Sequence, residues 1–155
     1  MLICAAIVAA ALGSALIAGV FFAFSSFVMR ALGERPPAEG MAAMVSINRV
    51  ILRSLFMPVF FGTALLGAGL ALYAVIIWGP RSWWLIGATF AYAMFSVGLT
   101  MVKNVPLNNA IERADPAADN AALWRRYLNR WTWWNSIRTV ASLAASALFI
   151  AALLV

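Results

Sequence analysis

Four long runs without a charged side chain constrain this chain more than any other feature. Met1 to Met29 and Ser54 to Pro80 carry no Asp, Glu, Lys or Arg over 29 and 27 residues, Ser82 to Val102 over 21, and Thr139 to Val155 over 17. About 20 apolar residues in a helix match the roughly 30 Å hydrocarbon core of a bilayer. Backbone groups inside lipid must be satisfied within the segment, which selects helices. Only 10% of the residues are charged and 65% are apolar, against roughly 25% charged in soluble domains. The expectation is an all-α integral membrane four-helix bundle forming one domain over 1–155. Its spans lie near 1–30, 54–78, 82–103 and 132–155 in up-down-up-down order, with short extra helices in the first and third connections.

Local signals refine this outline. The first run lacks a basic leading segment and is far longer than a signal-peptide core, so it reads as a span. Ala15, Gly19 and Ala23 recur every four residues, and Gly62, Gly67 and Gly69 stud the second run; both patterns predict close helix approach. Pro58 predicts a kink near the start of span two. Phe21, Phe22, Phe24 and Phe27 either line an aromatic ligand pocket, with Phe24 a candidate contact, or face lipid. The first connection breaks at Pro36-Pro37 and then places Met41, Met44, Val45 and Asn48 on one helical side. Gly79-Pro80-Arg81 predicts a tight turn flanked by the interfacial Trp78, Trp83 and Trp84. Lys103 should end the third span, with Pro106 in the first turn of a short helix and Asp115-Pro116 starting the next. The last run is short for a span, so the hydrocarbon should take in Trp134 and the backbone at Arg138.

Charge orients the bundle. The net charge is +6, and of eleven basic residues only Arg81 lies in the second connection. Cytoplasmic loops carry the Lys and Arg excess, so the first and third connections should be cytoplasmic. Both termini then lie outside the cytoplasm, in a plasma (inner) membrane. Basic residues beside membrane spans point to the lipid bilayer as partner and away from nucleic acid. Histidine is absent, Cys4 is the only cysteine, and Glu34, Glu39, Glu112, Asp115 and Asp119 show no metal-ligand spacing. No metal, haem or other cofactor is expected, and no glycine-rich phosphate loop is present.

The remaining polarity is concentrated at one membrane face: Asn48 and Arg49 before span two, Asn104 and Asn108 after span three, Asn135 and Arg138 before span four. Residues three or four apart share a helical face, and an up-down bundle brings these segments to one end. Asparagine and arginine donors can stabilise negative charge on a carbonyl or phenolate oxygen. Tyr127, Glu112 or water is the candidate base. The competing reading is structural: the same groups cap helix ends and join helices through interhelical hydrogen bonds.

Three segments carry a resemblance. Ile47-Asn48-Arg49, Asn104-Val-Pro-Leu-Asn108-Asn109 and Trp131-Thr-Trp-Trp-Asn135-Ser-Ile-Arg138-Thr139 resemble the small four-helix membrane proteins that include the anthrone oxygenases, over about residues 19–142. The resemblance implies oxidation of an anthrone-like or other phenolic aromatic substrate by dioxygen, without metal or flavin. A substrate phenolate or carbanion would itself react with oxygen. It also implies that Asn48, Arg49, Asn104, Asn108, Asn135 and Arg138 line the site, with Trp131 or Trp134 as an aromatic wall. The alternative is a non-catalytic membrane protein that binds a quinone or lipid, or acts as a partner subunit of another membrane protein.

Overall fold

The computed structural model describes residues 1–155 and is all-helical, with five helices joined by short turns and no strand. These are α1 (Leu2–Gly33), α2 (Pro37–Ile51), α3 (Phe56–Ile76), α4 (Ser82–Glu112) and α5 (Ala121–Ala151). Side-chain contacts fix how they run. Ser146 of α5 donates to the Ala11 carbonyl of α1 at 2.9 Å, while Asn135, further back along α5, reaches Phe21. Thr89 of α4 donates to the Gly67 carbonyl of α3, while Tyr92 reaches Phe60. Phe21 of α1 packs on Phe56 and Phe60 of α3, with Gly13 further back against Thr63. Ser142 and Arg138 of α5 meet Ser96 and Thr100 of α4. Every neighbouring pair is therefore antiparallel, and α1, α3, α4 and α5 form an up-down-up-down bundle.

Hydroxylated side chains are interspersed in the bundle interior, and large apolar side chains cover its outer face, as lipid requires. Ser14, Thr63, Ser96, Thr139, Ser142 and Ser146 are buried, whereas Leu12, Leu16, Leu65, Leu72, Phe90 and Val140 project outward. Small hydroxylated residues let helices approach and hydrogen-bond across the contact, in place of the hydrophobic drive that lipid removes. Helices α1, α3 and α4 are long and apolar enough to cross a membrane, and the chain is a membrane protein. Helix α5 is not among them, because Trp124 to Arg138 bring basic and amide side chains into its first half.

Three apolar clusters stack along the axis. One, around Ile7, Leu70, Leu85 and Phe149, closes the end that bears the chain termini. A second, around Ile17, Phe60 and Tyr92, fills the middle. The third joins Met41 and Met44 of α2 to Ile111, Trp124, Tyr127 and Trp131, so that α2 caps the basic end. Gly40 makes this cap possible, since a Cβ there would lie 2.7 Å from the Trp124 ring and 2.8 Å from the Leu32 carbonyl. Gly40→Val is accordingly expected to cost about 1–3 kcal/mol by overpacking. Thermal unfolding in detergent measures it, and an unchanged midpoint would show that α2 is not held by this contact.

Several local expectations are corrected. Ala15 and Gly19 face outward, and nothing lies within 4 Å of a Cβ on Gly19, Gly62 or Gly69. The close approaches are made instead by Gly13 against Thr63 and Gly67 against Thr89. Pro58 lies in the first turn of α3, where its missing N–H would have had no helical partner, so no kink is needed there. Lys103 does not end a helix: α4 continues to Glu112 through two π-helical stretches, Ala91–Gly98 and Thr100–Asn104. The second ends just before Pro106, and its i→i+5 bonding widens the turn that the proline ring would otherwise strain. Asp115 starts a turn and not a helix, its side chain accepting from the Ala117 N–H. Helix α5 begins only at Ala121, whose N–H is held by Asp119.

Candidate functional site

Between the middle cluster and the α2 cap lies a cavity of about 400 Å³. Its walls are largely apolar, built from Phe21 and Phe24 of α1, Met44 and Ile47 of α2, Phe56 and Phe60 of α3, and Trp131 of α5. The four phenylalanines near the end of α1 divide by helical geometry. Phe21 and Phe24 line the cavity, while Phe22 and Phe27 face outward. Phe61 and Met101 also line it yet are 40% and 54% exposed, so the cavity reaches the gap between α3 and α4 on the outer face of the bundle.

Arg138 is the only charged residue buried in the bundle. It is only 4% exposed, and none of the ion pairs in the structure includes it. Its Nη1 donates to Thr100 Oγ1 at 2.8 Å and its Nη2 to Asn135 Oδ1 at 2.6 Å, while Nε has no partner. The guanidinium lies 4.1 Å from the centroid of the Phe21 ring and 5.3 Å from that of Trp131. Cation–π contacts and two neutral acceptors offset part of the several kcal/mol that burying an ion costs. No carboxylate completes the neutralisation. A buried cation held by neutral groups beside an apolar cavity is suited to receive an anion.

The helices position this centre by register. Asn135 and Arg138 are one turn apart on α5, and Asn135 Nδ2 donates to the Phe21 carbonyl and to Ser25 Oγ. Ser25 lies in a π-helical turn of α1, Phe24–Val28. On α4, Thr100, Asn104 and Asn108 all line the cavity. Steps of four drift by about 40° each around an ordinary α-helix; the π-helical turn at Thr100–Asn104 offsets that drift and keeps all three inward. Asn104 is buried, its Nδ2 donating to the Trp131 carbonyl at 3.2 Å, and its Oδ1 is unpaired. Asn108 Oδ1 accepts from the Tyr127 hydroxyl at 2.9 Å and from Trp131 Nε1 at 2.8 Å, which locks the aromatic wall.

Asn48, Arg49, Asn104, Asn108, Trp131, Phe24 and Arg138 thus border one cavity. Asn135 stands behind Arg138 and does not border it, so it is placed to orient the guanidinium. Trp134 is not part of the wall: it lies beneath Lys103, 5.1 Å from its Nζ, in a separate groove. The choice between two tryptophans therefore falls to Trp131. Thr100 and Ser25 are not among the residues expected at the site, although Thr100 stands four residues before Asn104, whereas Phe21 is one of the phenylalanines expected either to line a pocket or to face lipid. Of the candidate bases, Tyr127 precedes the final apolar run and is held neutral. Burial raises its pKa above the ordinary tyrosine value, against the lesser pull of the Asn48 side chain and the Arg138 charge. Glu112 borders the cavity at its mouth and pairs with Arg49 at 3.1 Å. No group of three or more His, Cys, Asp or Glu side chains is arranged to hold a metal ion.

These features define an all-helical membrane bundle with a cationic, aromatic-walled cavity at its basic end. The family model described as anthrone oxygenase matches residues 53–148, and the chain belongs to that family. Asn104, Asn108, Trp131, Asn135 and Arg138 fall inside the match, while Phe24, Asn48 and Arg49 precede it. No curated protein and no solved structure matches the chain.

Proposed function

We propose that the protein is a membrane-embedded oxygenase that needs no cofactor and acts on an anthrone-like or other phenolic aromatic substrate. The observation that carries this reading is the buried Arg138, which has neutral hydrogen-bond partners, no carboxylate, and a cavity bounded by flat aromatic groups. The ring system packs against the aromatic wall that Phe24 and Trp131 form together, their ring centroids 5.7 Å apart, with its oxygen toward Arg138, Asn104 and Asn48. Loss of a proton from the substrate methylene, to Glu112 or to water, leaves a carbanion whose charge is delocalised onto that oxygen. Arg138 stabilises the charge where it develops. The carbanion forms a carbon–oxygen bond to dioxygen and, on protonation, becomes a hydroperoxide. Expulsion of water breaks the O–O bond and takes up the second methylene hydrogen, giving a quinone, so that one dioxygen is consumed per anthrone. A substrate of this kind dissolves in the bilayer, and the gap beside Phe61 and Met101 offers it a path.

Oxygen uptake by purified, metal-stripped protein given an anthrone tests the reading. Catalysed consumption matched by quinone formation supports it. Tight quinone binding with no turnover would favour the non-catalytic alternative instead.

The same proposal includes a fourth crossing by the second half of α5, which lies antiparallel to α1 from Asn135 beside Phe21 to Ser146 beside Ala11. It also includes a plasma-membrane location with both termini outside the cytoplasm, as the positive-inside rule requires. In a Cys4→Ser background, Leu2→Cys is expected to be labelled by an impermeant thiol reagent from the outside and Ala118→Cys only after permeabilisation. The opposite pattern would reverse the orientation.

A further inference from the structure

A second groove of about 340 Å³ lies on the other side of the Tyr127 wall, between the basic end of α4 and the first half of α5. Lys103, Arg126 and Arg130 line it together with Leu107, Leu123 and Trp134, and no acidic residue does. None of the three cations takes part in an ion pair. Their only close partner is aromatic, the ring of Trp134 under the Lys103 ammonium. Lys103 directly follows the charge-free run that ends at Val102, and Val102 is 65% exposed on the outer face. The groove is therefore cationic where a membrane protein meets headgroups and apolar just below, where acyl chains begin.

We propose that this groove is a binding site for an anionic phospholipid. The phosphate is held by Lys103, Arg126 and Arg130, with the glycerol edge against Trp134 and an acyl chain along Val102. Three unneutralised cations around one concavity favour a phosphate over a zwitterionic headgroup, whose own ammonium they repel, and Trp is suited to the wet–apolar boundary. The site is separate from the Arg138 cavity and does not depend on its activity.

Full-length protein in a non-ionic detergent can be titrated with phosphatidylglycerol or phosphatidylcholine, with bound lipid counted by native mass spectrometry. The expected result is one phosphatidylglycerol retained in preference to phosphatidylcholine. Arg126→Gln/Arg130→Gln should weaken it roughly thirtyfold, as removing two surface cations implies. The control Arg53→Gln/Arg113→Gln, which removes equal charge outside the groove, should leave binding unchanged. Equal retention of the two lipids, or equal loss in the two variants, overturns the proposal. Displacement of the lipid by millimolar inorganic phosphate would assign the groove to a soluble phosphate and overturn the lipid assignment.

Discussion

Arg138→Ala is expected to lower anthrone oxidation by a factor of about 10² to 10³, the usual consequence of removing one preorganised oxyanion donor. The magnitude follows from where the charge sits. At an effective dielectric of about 20, a cation roughly 4 Å from a phenolate oxygen contributes about 4 kcal/mol, and here no carboxylate competes for it. Arg138→Lys should lose less, because the charge remains. It should still fall below wild type, since an ammonium cannot span Thr100 Oγ1 and Asn135 Oδ1 while facing the cavity as the fork does. Alanine relieves the cost of a desolvated ion but leaves the buried Asn135 Oδ1 without its donor, and these opposing effects should move the unfolding midpoint in detergent little compared with the rate. Oxygen uptake and thermal unfolding on the same preparations separate the two effects. An alanine variant that oxidises substrate at the wild-type rate sinks the role assigned to Arg138.

Asn108→Leu should have the largest effect on stability. Its one oxygen accepts from both Tyr127 and Trp131, whose side chains are 1% and 5% exposed. Leucine leaves two buried donors unsatisfied, at about 1–3 kcal/mol each. Tyr127→Phe removes one donor and leaves Asn108 its bond to Trp131, so it should cost much less. In the double variant the two losses should fall short of their sum, because the phenylalanine has already removed one orphaned donor. Chemical or thermal unfolding of the three variants in detergent measures this coupling. Strict additivity would mean that the amide does not hold the aromatic wall.

The sequence by itself determined the class of fold and the end of the bundle at which polarity gathers. Charge-free runs leave the backbone no alternative to helix in lipid, and the spacing of Asn104 with Asn108 and of Asn135 with Arg138 is a local property of a helix. It also contained the pairs that share a wall or a hydrogen bond within one turn. Contacts between helices were less accessible. Alternation of small residues flagged Ala15, Gly19 and Gly62 along with Gly67, yet only the last packs closely, because the angular position of a helix is set by its neighbours. The continuation of α4 past Lys103 depended on π-helical turns whose hydrogen-bond shift leaves no composition signal. Tertiary structure alone put Trp131 inside the cavity and Trp134 outside it, though they are three residues apart, since Asn108 on a different helix holds the Trp131 indole. It alone also set Asn135 behind Arg138 and brought Thr100 and Phe21 onto the guanidinium. Those contacts join residues 38 and 117 positions apart in the chain, and only packing in three dimensions makes them neighbours.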